Sequence, residues 1–90
     1  MRLQRIVPSD DRTTRHDRDG WARFAVLDDD GARVGFVAEW RDWLGHTYGP
    51  PTYTAAHNPT GEDFATLWRS EGHATATEAL AALAEHLDAQ

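Results

Sequence analysis

The chain has no cysteine, no lysine and only two serines, and no apolar run approaches the length of a membrane span. Without cysteine there is no disulfide framework, no thiolate nucleophile and no cysteine-based zinc site, so the fold must rest on packing alone. Without lysine a phosphate-binding P-loop is excluded, and Gly31 and Gly35 belong to hairpin geometry rather than to a dinucleotide fingerprint. Of the serines, Ser9 lies in a polar segment. Ser70 stands in Trp68-Arg69-Ser70-Glu71-Gly72, which lacks the first glycine of a nucleophile elbow and suits a turn or cap. A bilayer-crossing helix needs about 18 or more apolar residues, and residues 1–10 hold no leader-like run. The expectation is a soluble, cytoplasmic protein with no membrane partner.

Ninety residues bound a single domain, which at this size buries roughly 60–65% of its unfolded surface. All nine basic residues are arginine, set against fifteen acids for a net charge of −6. Absence of lysine beside abundant alanine and arginine fits a GC-rich genome. Charge is unevenly placed: residues 1–20 hold five arginines and four aspartates, whereas residues 21–90 hold four arginines and eleven acids. The body is therefore acidic, at net −7, and lacks the clustered positive charge that drives nonspecific binding to phosphate backbones.

Residues 8–20 contain no aliphatic or aromatic side chain and mix charges of both signs, so residues 1–20 read as a polar, flexible N-terminal arm. Leu3, Ile6 and Val7 offer a short edge strand within it. Trp21–Leu27 and Arg33–Trp40 are rich in aromatic and β-branched residues and flank Asp28-Asp29-Asp30-Gly31-Ala32, a strong turn cluster. They predict a β-hairpin. With Asp30-Gly31 as a two-residue type I′ turn, Leu27 faces Val34, Ala25 faces Phe36, Arg23 faces Ala38 and Trp21 faces Trp40. On the other side Val26 pairs with Gly35, Phe24 with Val37 and Ala22 with Glu39, while Asp28 stands opposite Arg33. The resulting hairpin is apolar on both faces, and an antiparallel sheet with one covering layer normally alternates apolar and polar residues. A second layer is expected, from a loop, another subunit or a partner.

After Trp40, two glycines and two prolines between Arg41 and Pro51 rule out a regular central strand, although strand two has room to run on to Leu44. Thr52–His57 reads as a third strand, Asn58-Pro59-Thr60-Gly61 as a turn and Phe64–Arg69 as a fourth strand. Thr75–Leu87 then reads as an amphipathic helix. Thr75 and Glu78 have capping-box spacing, and Ala76, Ala79, Leu80, Leu83 and Leu87 share one face. The fold class is α+β: an antiparallel sheet of three to four strands in β-β-β-β-α order, packed on one C-terminal helix, with residues 21–90 as a single small domain.

Chemical motifs are scarce. No two of the five histidines are three or four residues apart, which removes helical metal pairs. A spatial site from His46, His57 and Glu62 is outweighed by ordinary loop and strand roles. The Asp28–Asp30 run lacks the alternating spacing of a calcium loop. No catalytic residue, cofactor or metal is expected. The aromatics are more informative, because four tryptophans in so short a chain suit either a small core or a binding hot spot. Trp21, Phe36 and Trp68 are expected in the core. Trp40, Trp43, Leu44 and Tyr48, gathered about the Gly/Pro loop, are the candidate partner-binding residues.

Three antiparallel strands followed by a C-terminal helix resemble the general layout of the arm-binding domain of phage-type integrases and, more loosely, of double-stranded-RNA-binding domains. That resemblance implies a sheet presenting basic side chains to nucleic acid. Here the body offers only Arg23, Arg33, Arg41 and Arg69, while Arg12, Arg15 and Arg18 of the arm are balanced by Asp10, Asp11, Asp17 and Asp19. Nucleic acid is disfavoured on that count. The expected function is a small non-catalytic protein-interaction or regulatory domain, binding a protein partner or forming a homodimer through an apolar sheet face. The alternatives are a nucleic-acid-binding module or an acidic inhibitor that mimics nucleic acid.

Overall fold

A computed structural model of the chain describes residues 1–5, 20–42, 44–61 and 65–90. They form strands β1 (Arg2–Arg5), β2 (Gly20–Leu27), β3 (Arg33–Trp40), β4 (Thr52–His57) and β5 (Trp68–Arg69), then helix α1 (Ala76–Asp88). The strands make one sheet in the order β1-β2-β3-β4-β5, each antiparallel to its neighbour. This is the expected α+β layout with five strands in place of three or four. The additional strand is β1, where Leu3 pairs with Val26 and packs against the core. Ile6, Val7 and the rest of residues 6–19 lie outside the described residues.

The helix forms where its sequence pattern places it. Thr75 is extended (φ −135°, ψ 155°) and its Oγ1 accepts from the Glu78 amide at 3.1 Å, so the N-cap is made. The reciprocal bond from the Thr75 amide to the Glu78 carboxylate does not form. Ala79 and Leu83 are completely buried, with Ala76, Leu80 and Leu87 packed beside them. Helix α1 lies mainly over β4 and to a smaller extent over β3. The core between the layers is Val26, Val37, Ala55, Ala79 and Leu83.

The hairpin departs from its expected register at two places. The middle pairs hold, with Val26 opposite Gly35, Ala25 opposite Phe36 and Phe24 opposite Val37. Towards the turn, Leu27 pairs with Arg33 rather than Val34, leaving Val34 as the extra residue of a bulge and removing the Asp28–Arg33 pair. Towards the other end, Arg23 is the extra residue, so Ala22 pairs with Ala38, Trp21 with Glu39 and Gly20 with Trp40. The turn explains the first shift. A type I′ turn requires positive φ at both central residues, and among the described residues only glycines take it, Gly31 at 84°. Instead Asp28 N–H donates to Ala32 O, Gly31 N–H donates to Asp28 O, and Asp28 Oδ1 accepts from the Asp30 and Ala32 amides, each at 2.9 Å. A longer loop capped by its own aspartate replaces the two-residue turn.

Two other boundaries move. Strand β3 stops at Trp40 and does not reach Leu44. The last strand is only Trp68–Arg69, and Ala65 lies in a 3₁₀ turn; Phe64 is outside the described residues. Buried Asn58 accounts for the late start. Its Oδ1 accepts from Gly61 N–H at 2.8 Å and its Nδ2 donates to Thr66 Oγ1 at 3.1 Å, which ties Gly61 and Thr66 to the end of β4 before Leu67 N–H reaches His57 O.

Candidate partner-binding face of the sheet

Antiparallel pairing puts directly opposed residues on the same side of a sheet. One row runs Leu3, Val26, Gly35, His57 and Trp68, and the next Arg5, Phe24, Val37 and Ala55; these lie beneath α1 or beside it. On the other side run Gln4, Ala25, Phe36, Ala56 and Arg69, followed by Ala38 with Thr54 and Trp40 with Thr52. No described helix covers this second side. The expectation of a sheet with two apolar faces therefore finds its counterpart here, around half-buried Phe36 and Trp40.

Small residues in the middle strand shape this face. Ala56 is 1% exposed and stands between Phe36 and Arg69 in the register. The Arg69 guanidinium carbon sits 5.8 Å from the centre of the Phe36 ring, a cation–π contact that a larger residue at position 56 would obstruct. Trp40 is fixed by its indole Nε1, which donates to Thr54 Oγ1 at 2.8 Å. Arg2 and Gln4 border the face from β1, both exposed. None of its described strand residues is acidic, and among the described residues Arg2 and Arg69 have no carboxylate partner.

The remaining candidates occupy the loop beyond β3. Leu44 N–H donates to Thr47 O and Gly49 N–H to Asp42 O, each at 2.8 Å, while Gly45 takes φ 97°. These bonds shape a tight excursion from which Leu44 (56% exposed) and Tyr48 (49%) project. Trp40 belongs to the sheet, Leu44 and Tyr48 to the loop leaving its end, and Trp43 lies outside the described residues. Phe36, expected in the core, is half-buried on the side away from α1. Arg69 drew attention only as one of four body arginines. The signal that joins them is the alternation of β5, which sets Arg69 opposite Ala56 and Trp68 towards the helix.

The helix side offers two polar clusters. A cavity of about 300 Å³ is lined by Arg5, Phe24, Glu39, Arg41 and Tyr53. The Glu39 side chain, 14% exposed, accepts from Tyr53 OH at 3.2 Å and from Arg41 Nη2 at 3.0 Å, which ties β3 to β4 and to the loop. At the far end of α1, His86 stacks on Trp68 with ring centres 4.2 Å apart and planes within 5°, and His57 meets its edge at 5.8 Å. Among the described residues no three histidines or carboxylates converge as a metal site would require. His46 is an exposed loop residue remote in sequence from this cluster, and Glu62 is outside the described residues. No described helix is long and apolar enough to cross a membrane. No family model, curated protein or solved structure matches the chain.

Proposed function

We propose that the chain is a non-catalytic interaction domain that offers the side of its sheet opposite α1 to a protein partner, with the Leu44–Tyr48 loop extending that surface beyond Trp40. The observation that carries this reading is the mismatch between layers: an apolar sheet with two sides and one described helix, on the opposite side from Phe36 and Trp40. Aromatic side chains at partly wet positions are the usual energetic centres of interfaces. Leu44 and Tyr48 add exposed apolar area where a loop, unlike the core, tolerates specialisation.

Partner binding measured for wild type, Phe36→Thr and Leu44→Ser tests it. Both substitutions should weaken association at least about tenfold while lowering Tm by under about 4 °C, the shift that roughly 1 kcal/mol of lost stability produces in a domain this small. Light scattering over a concentration series distinguishes the two partners the sequence allows, since a homodimer dissociates on dilution and a separate partner leaves the chain monomeric alone. Loss of binding in proportion to loss of stability would place Phe36 in the core and end the proposal.

A further inference from the structure

We infer that the sheet face opposite α1 is a receptor for an acidic–apolar protein segment, a stretch of aliphatic or aromatic side chains flanked by carboxylates, with Arg69 as the residue that reads the acid. The inference rests on the binding role proposed above for this face and adds the chemistry of its partner. Among the described residues neither Arg2 nor Arg69 has a carboxylate partner, although the chain as a whole has six more acids than bases. The described acids lie elsewhere: in the hairpin loop, on the helix side at Glu39, in the loop at Asp42, at Glu71 and on α1. Among the described residues charge is thus segregated, with Arg2 and Arg69 bordering the apolar side that lacks a described layer.

The geometry at Arg69 favours a carboxylate over a nucleic acid. The guanidinium stands 5.8 Å from the Phe36 ring centre, which favours that rotamer, while its N–H edge remains able to take a carboxylate in bidentate fashion. The same contact occupies the ring face on which a base would stack, and Trp40 is already tethered to Thr54. Two arginines neutralise few phosphates, and the acidic body repels the remainder of a strand. A segment with one or two carboxylates beside apolar side chains matches both the charge and the half-buried Ala25 and Phe36 between the cations.

A displayed random-peptide library selected on the full chain, followed by fluorescence anisotropy of the enriched peptides, tests this. Enriched peptides should pair Asp or Glu with aliphatic or aromatic residues and bind more weakly at high salt. Arg69→Gln should weaken them about tenfold or more, the scale of one charge-assisted hydrogen bond. Arg69→Lys should restore binding in part, and Glu85→Gln on the helix should leave it unchanged. Peptides that respond to Phe36→Thr but show neither acid enrichment nor dependence on Arg69 would overturn this inference and leave the binding role standing. Peptides indifferent to Phe36, Leu44 and Arg69 alike, or an empty selection, would overturn both. Tighter binding of a labelled oligo-dT would assign the face to nucleic acid instead, and a dimer by light scattering that Arg69→Gln dissolves would assign it to a second copy.

Discussion

The carbonyl oxygen of Ala56 occupies the place where a side chain on Gly35 would have to go. Strands β3 and β4 approach so closely at this point that no Cβ fits, and the obstruction is backbone, which cannot rotate aside. Gly35→Ala should therefore cost about 2 kcal/mol or more, at or above the usual range for overpacking. Gly31→Ala is the control: its φ of 84° strains any L-residue, yet nothing lies within 4 Å of the new methyl, so about 1–2 kcal/mol is expected. Urea denaturation of both variants checks the order; a milder effect at Gly35 than at Gly31 would contradict the close approach.

Asn58 is 1% exposed and uses both ends of its amide, taking the Gly61 N–H and donating to Thr66 Oγ1. Its backbone N–H also reaches Val34 O at 3.0 Å, and its carbonyl accepts from Arg33 Nε at 3.4 Å. Asn58→Ala leaves the Gly61 amide and the Thr66 hydroxyl to find other partners, at a cost of about 1–3 kcal/mol. The 58–66 loop should loosen first, visible as faster amide exchange at Gly61 and Leu67 before any change in the helix. Unchanged exchange there would show that the loop holds without its asparagine.

The parts of this fold that were legible in the sequence are those set by local pattern. Thr52–His57 and the Thr75-capped helix appear where alternation and 3.6-residue periodicity put them, because each pattern reports one element's own buried side. The features that depend on remote partners were less legible. The edge strand offered by Leu3 forms as β1 over Arg2–Arg5, where Val26 gives Leu3 a place. The hairpin slipped at Leu27 because the Asp28 side chain closes a longer loop than Asp30-Gly31 alone suggests. The Phe36–Arg69 contact spans two strand pairings, and no local window contains both residues. Of the loop candidates, composition picked out Leu44 and Tyr48, which are exposed, but it could not say that Trp40 would be tied to the sheet through Thr54.

Ser70 substitutes a side chain for part of the β4–β5 ladder. Its amide donates to Ala55 O and its Oγ accepts from Ala55 N–H, both at 2.8 Å, while the hydroxyl proton goes to Glu71 O. Ala55 is completely buried, so removing that oxygen strands an amide where water does not reach. Ser70→Ala should destabilise by about 1–3 kcal/mol. Hydrogen exchange at the Ala55 amide should accelerate by a factor consistent with that loss; protection at the wild-type level would mean another acceptor had moved in.

Leu83 carries the most weight at the contact between α1 and the sheet. Among the described residues it is the largest completely buried side chain, in the cluster of Val26, Val37, Ala55 and Ala79. All four of those partners are alanine or valine, so little bulk surrounds it to collapse into a void. Leu83→Ala should accordingly cost about 2–5 kcal/mol, a large share of the roughly 5–15 kcal/mol that holds a typical domain folded. Leu80→Ala, at a half-buried position on the same helix, should cost less. Leu83→Asp puts an unpaired carboxylate into the apolar layer and should abolish the cooperative thermal transition altogether. Differential scanning calorimetry decides the matter: an aspartate variant melting near the wild-type temperature would mean that α1 does not depend on the sheet for its stability, and the two-layer account of this fold would fail with it.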